Sequence, residues 1–187
     1  MQQTPPKTHK TAVVIIPPEE VWSPIQAIRQ EYDRHVRRWM PHITMIYPFR
    51  PKEQFEALAE EFRAVCQAIA PFELQFVHFR FFSHGRQQYT LWLTPEPVDP
   101  VIELQTALWQ VVPDCDDTRK FKHGFTPHLS VGQVRGKAQM EALSGQLQSR
   151  WQPLAFTVKE VNLIWRNQPP DDVFRVGRKV HIGNKSA

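Results

Sequence analysis

Residues 41–45 and 127–131 spell one pattern twice: PHITM and PHLSV, each a Pro-His start followed by apolar, hydroxyl, apolar. In an extended chain alternate side chains share a face. His42 and Thr44 then point one way, and Ile43 and Met45 the other. His128 and Ser130 pair in the same manner against Leu129 and Val131. This duplication constrains the fold strongly. Each copy has to be a strand with one face on a core and one polar face left open. The chain has to supply equivalent surroundings for both.

The flanking sequence supplies them. The apolar run TAVVIIPP at 11–18 ends in two prolines and reads as a buried strand. Ser23-Pro24 opens a short helix to about Asp33, with Ile25, Ile28 and Tyr32 on one face. The first motif strand covers 42–49 and ends at Pro48. The clearest helix spans 53–70, where Phe55, Leu58, Phe62, Val65, Cys66 and Ile69 recur at steps of three and four. Segments 72–82 and 88–95 are rich in aromatic and β-branched residues and form a hairpin around SHGRQ. A helix follows over about 100–111, then a charged loop, then the second motif strand at 128–133. Met140, Leu143 and Leu147 mark a further helix. Strands at 154–167 and 174–183 close the chain. Each half thus has a His-bearing strand, a helix after it and then two strands. The expectation is one α+β domain over 1–187. It has two pseudo-symmetric lobes, each an antiparallel sheet with helices on the outside, enclosing a central cleft.

Bulk properties narrow the function. A chain of 187 residues with 41% apolar content buries a sizeable core and is not a disordered tail. The net charge of +4 suits an anionic ligand without specifying one. Cys66 and Cys115 match no metal spacing, and Cys66 falls on the apolar stripe of its helix, as a buried thiol. The first ten residues have no apolar signal region, and no apolar run reaches the ~18 residues of a membrane span. The expectation is a cytoplasmic protein that uses no membrane, needs no obligate protein partner and is by default a monomer.

Two imidazoles and two hydroxyls on facing strands suit one chemistry in particular. Cleavage of a phosphodiester without a metal needs a base for the nucleophile and an acid for the leaving oxygen. Histidine changes charge near neutrality and serves either role. Thr44 and Ser130 can donate to the non-bridging phosphate oxygens. An approximate two-fold places one imidazole on each side of the phosphorus, as in-line displacement requires.

The paired segments PHITMIYPF and TPHLSVGQ resemble the two His-apolar-hydroxyl-apolar signatures of the 2H phosphoesterase superfamily. Within it they are most similar to the 2′-5′ RNA ligase and RNA 2′,3′-cyclic phosphodiesterase branch. The resemblance implies the two-lobed fold, with His42 and His128 as the catalytic pair and Thr44 and Ser130 as phosphate-binding hydroxyls. It implies hydrolysis of 2′,3′-cyclic phosphates on RNA ends or small nucleotides, with 2′-5′ joining as the reverse reaction, and no metal or other cofactor. Bacterial members of that branch often carry arginine after the glycine of the second motif. This chain has Gln133 there, and its nearest arginine is Arg135.

Other residues have two readings each. Tyr47, Phe49 and Phe125 flank the motifs and either stack on a base or pack in the core. Arg119, Lys120 and Lys122 precede the second motif, Arg135 follows it, and RHVRRW at 34–39 precedes the first. These cations either meet substrate phosphates or lie in solvated loops. The substrate-contact candidates are Tyr47, Phe49, Lys122, Phe125 and Arg135. No histidine pair has the spacing of a zinc site. Two rival expectations remain: a nucleotide binder that uses the four motif residues without turnover, and an RNA-binding protein driven by the basic clusters.

Overall fold

The protein is described here by a computed structural model covering residues 6–183. The elements run β1 (Thr11–Ile15), α1 (Trp22–Tyr32), β2 (Ile43–Ile46), α2 (Phe55–Cys66), β3 (Phe72–Ser83) and β4 (Gln88–Glu96). They continue as α3 (Asp99–Val111), β5 (Leu129–Arg135), α4 (Lys137–Arg150), β6 (Leu154–Val158), β7 (Glu160–Trp165) and β8 (Arg175–His181). Two four-stranded antiparallel sheets result, ordered β2-β1-β7-β8 and β5-β4-β3-β6. The α+β class and the two related sheets are as the sequence predicts. In each sheet the motif strand lies at the edge, beside the strand that precedes it through a helix: β1-α1-β2 in one, β4-α3-β5 in the other.

Two expectations are corrected. Segment 154–167 reads as one strand, yet it divides at Lys159 into β6 and β7, which belong to different sheets. The lobes therefore do not coincide with the sequence halves. The second sheet is made of the middle strands β3 to β6, and the first joins the two ends of the chain. No glycine or proline marks the crossing at Lys159. Apolar residues resume directly after Lys159 and Glu160 because β7 is an inner strand covered on both faces, with Val161, Leu163 and Ile164 all at 0% exposure.

The main core lies between the layers. Val13, Ile15, Ile43 and Met45 from the first sheet meet Leu91, Leu93, Leu129 and Val131 from the second, with Phe55, Leu58, Phe62 and Cys66 of α2. A smaller cluster of Ala12, Val14, Ile164 and Phe174 covers the opposite face of the first sheet, under Trp39 and Met40. β1 thus has apolar neighbours on both sides, as its unbroken hydrophobic run requires. The buried Cys66 and Cys115 are unbridged, and burial pushes each thiol up to about 11. Among the described residues no helix is long and apolar enough to cross a membrane.

Candidate active site

The alternation in each motif is visible in burial. Ile43, Met45, Leu129 and Val131 are wholly buried, whereas His42, Thr44, His128 and Ser130 are half-exposed. Each histidine sits one residue ahead of its strand. The two motif strands share a further irregularity. Val13 pairs with Ile46 and Val14 with Thr44, so Met45 is skipped; Leu91 pairs with Gly132 and Trp92 with Ser130, so Val131 is skipped. Each copy therefore carries a bulge directly after its hydroxyl residue. A bulge re-aims the side chains around it and increases local twist. The carbonyl of Met45, at the bulge, accepts from Thr118 Oγ1 at 3.2 Å and from Gln105 Nε2 at 3.4 Å. Arg119 fixes that glutamine by donating to its Oε1 at 2.8 Å.

The imidazoles are anchored alike. Nδ1 of His42 meets the carbonyl of Met40 at 2.7 Å, and Nδ1 of His128 meets the carbonyl of Thr126 at 2.7 Å. In both cases the carbonyl belongs to the second residue back. A carbonyl can only accept, so Nδ1 carries its proton in either charge state. Proton exchange is thereby left to Nε2 on the other side of the ring. Burial pushes the His42 ring down to about 4, helped by the charges of Arg29 and His128 and opposed by the Met40 carbonyl. Burial also lowers His128, against the opposing pull of the Thr126 carbonyl. With no ligand bound, both rings are neutral at pH 7 and can accept a proton.

Aromatic rings hold each imidazole, in different ways. Trp39 stacks on His42 with ring centres 4.6 Å apart and planes 18° apart, and Phe174 stacks on Trp39 with ring centres 3.7 Å apart. His128 instead meets Phe82 at 4.9 Å and Trp92 at 5.8 Å, both edge-on. These neighbours escaped the sequence reading because a lone aromatic has no spacing signal. Trp39 is placed by Arg29, which is 2% exposed and donates to the Trp39 carbonyl and to Asp33, each at 2.9 Å.

A cavity of about 670 Å³ opens beside the motifs, lined by His42, Ser130, Arg34, His35, Gln133 and Arg135 among others. The α1–β2 connection borders it, tied across to β5 by Gln133. The Gln133 amide donates to Asp33 Oδ1 at 3.2 Å, and its carbonyl accepts from the Arg34 backbone N–H at 3.1 Å. Gln133 therefore serves as a strut, and Arg135 is the β5 cation at the cavity wall.

Other candidates separate. Phe49 is 0% exposed and packs against Phe55 and Phe62, so it is core and cannot stack on a base. Its place is set by the short bridge that pairs Phe49 with Thr8. Tyr47 is half-buried, edge-on to Trp39 at 5.5 Å, and its hydroxyl donates to the His9 carbonyl at 3.3 Å. Phe125 packs against the main core, and Lys122 lies exposed in the loop ahead of the second motif. Arg37 and Arg38 are turned to the buried carboxylate of Asp172, and Lys120 to Asp116. From RHVRRW the cavity receives Arg34, His35 and Trp39. Among the described residues no three His, Cys, Asp or Glu side chains gather where they could hold a metal ion.

The family model described as the 2′-5′ RNA ligase superfamily matches residues 17–170. A Geobacillus kaustophilus protein, provisionally named a phosphoesterase, is 26% identical over 158 residues, covering 84% of this chain and 88% of its own. A Bacillus cereus protein with the same provisional name is 26% identical over 144 residues, covering 75% of this chain and 79% of its own. In fold, the chain is similar to TT0787 of Thermus thermophilus, with TM-score 0.65, 17% identity and coverage of 94% and 99%. It is likewise similar to Escherichia coli LigT solved with 3′-AMP, with TM-score 0.63, 16% identity and coverage of 96% and 100%. The family match spans most of the chain, and the chain belongs to the 2′-5′ RNA ligase superfamily.

Proposed function

We propose that this phosphoesterase-superfamily chain is a metal-independent phosphodiesterase that opens 2′,3′-cyclic phosphates on RNA ends or small nucleotides. The observation that carries the reading is the duplicated imidazole mounting, with Nδ1 of both His42 and His128 bound to the carbonyl two residues back. Such a mounting presents Nε2 of two otherwise equivalent rings, one for each side of a phosphorus atom. The neutral ring takes a proton from water as its oxygen bonds to phosphorus. The other ring, protonated as the anionic substrate binds, gives its proton to the ribose oxygen as the P–O bond breaks. Water is thus divided between phosphate and leaving hydroxyl, and the pair of rings is left with its proton exchanged, to be restored by solvent. Thr44 and Ser130 donate to the non-bridging oxygens as charge develops there. Arg34 and Arg135 in the cavity wall suit the flanking phosphates of an RNA end. Structures of LigT with 3′-AMP, ATP and NADP+ support a nucleotide ligand for this fold.

The test is turnover in EDTA of an RNA oligomer ending in a 2′,3′-cyclic phosphate and of the four cyclic mononucleotides, with products separated by chromatography. The wild type opens the ring, and His42→Ala and His128→Ala each lose at least about 100-fold in kcat, the usual contribution of a positioned acid or base. Equal turnover by wild type and both variants would refute the assignment, and saturable binding without product would make the chain a nucleotide binder.

A further inference from the structure

His42 and His128 share one kind of anchor but not one kind of support. The bond to the Met40 carbonyl fixes one point of the His42 ring and leaves its tilt to its neighbours. Around His128 those neighbours, Phe82 and Trp92, stand on β3 and β4, strands of its own sheet, so the ladder places them. Trp39, the plane against His42, stands on no strand. It belongs to the α1–β2 connection, at a tight turn where the Arg38 and Trp39 N–H groups both donate to the His35 carbonyl, at 2.9 and 3.1 Å. A turn of this kind does not by itself fix where a side chain lies relative to the sheet below it.

The connection between β7 and β8 grips it from outside. Asp172 in that connection is 1% exposed, and its carboxylate pairs with both Arg37 and Arg38, the latter at 2.6 Å. Two residues on, the Phe174 N–H donates to the Arg38 carbonyl at 2.8 Å. The buried Phe174 ring then stacks on Trp39. The residues just ahead of Trp39 are thus held by side chain and by backbone, and Trp39 itself by a ring. From the α1 side Arg29 adds its bond to the Trp39 carbonyl. A carboxylate this far from water adds little net stability over apolar residues of the same size. Arg38 Nε stays buried without a partner in the protein, a further cost. Stability alone therefore does not explain the cluster; the geometry it imposes on Trp39 does.

We propose that Asp172 and Phe174 are positioning residues that hold Trp39 flat against His42 and so aim the imidazole at the phosphate. The charges that act on the His42 ring itself are Arg29 and Asp33, at the end of α1, and His128, ahead of β5. Asp172 acts on the ring through Trp39. Removing the Asp172 charge then has two effects of opposite sign. Arg37 and Arg38, left without their carboxylate, push His42 further below its ordinary value, as like charges do. A released Trp39 lets water reach the ring and brings it back up towards 6.5. The sign of the change in His42 therefore reads the clamp directly.

The test follows the His42 and His128 ring protons by NMR titration in wild type, Asp172→Asn and Phe174→Leu. Asp172→Asn keeps the side chain's shape and removes its charge; Phe174→Leu keeps the charge and removes the ring. Turnover of a 2′,3′-cyclic mononucleotide is measured on the same three proteins. The expected result is a His42 titration moved up in both variants, with His128 unmoved. kcat falls by at least about tenfold and KM stays within about twofold, as misaiming of a reacting group predicts. General loosening of the fold would instead move both imidazoles together. Equal shifts of the two rings, or a His42 titration that stays or moves down, would overturn the clamp. The aim at a phosphate rests on the function proposed above, and the two can fail separately. A raised His42 in variants of a protein that opens no cyclic phosphate would uphold the hold on Trp39 and overturn the catalytic reading. An unmoved His42 beside active wild-type enzyme would do the reverse.

Discussion

The proposed reaction asks opposite things of His42 and His128, which are anchored alike, and the energetics of their seats are measurable. The folded state holds His42 near 4 because burial of much of the residue disfavours the charged ring, against about 6.5 in an unfolded chain. Between these values the unfolded chain binds the extra proton, so stability is complete above pH 6.5 and declines as pH falls towards 4. For a ring still half-exposed, about 3 kcal/mol is the upper limit of that loss. Urea denaturation at pH 4.5 and 7 is therefore expected to show a larger drop for wild type than for His42→Gln; equal drops would deny the burial effect. At this scale the twin motifs were legible in the sequence, because a strand's period of two dictates which side chains travel together. Phe49 was not, since its position beyond the motif strand brings it back into the core through a bridge to Thr8. Trp39 and Trp92 were silent for a related reason: their places beside the imidazoles depend on which strand or loop lies opposite them.

Elements show how the seats are made equivalent. Both motif strands leave the ladder at the residue after the hydroxyl, and both are edge strands. An edge position gives a bulge room, since there is no second partner to disturb. β5 has one further requirement. A Cβ on Gly132 would lie 2.5 Å from Cβ of Tyr32, at the end of α1. Gly132→Ala is expected to cost about 1–3 kcal/mol in urea denaturation, as overpacking does. It also displaces α1 from β5 and so disturbs the cavity, which Tyr32 and Gln133 both line. A variant as stable and active as wild type would contradict the close packing. The helices and most strands followed from periodicity, and α2 buried the predicted stripe of Phe55, Leu58, Phe62 and Cys66. The division of 154–167 did not follow. Val158 and Val161 are both buried, but the exposed Lys159 and the part-buried Glu160 lie between them, and at that charged pair the chain changes sheets.

The whole molecule is a pair of like sheets whose strands are drawn unequally from the chain. The first sheet closes the two ends together, and the second is continuous in sequence. This was hidden because pairing between distant strands is a property of the folded chain and leaves no local pattern. The arrangement supplies two imidazoles anchored alike, each with Nδ1 on the carbonyl two residues back. Under the proposed function that equivalence breaks when an anionic substrate binds and one ring takes a proton. The most direct measurement is the pH dependence of kcat/KM for a 2′,3′-cyclic nucleotide in EDTA, which reports the free enzyme's groups. Because both imidazoles are pushed below 6.5, the account predicts a bell with its maximum on the acid side of pH 6.5. Each single histidine variant is expected to lose the bell along with the rate. A profile that is flat, or that rises to a plateau above pH 8, would contradict a reaction run by this pair.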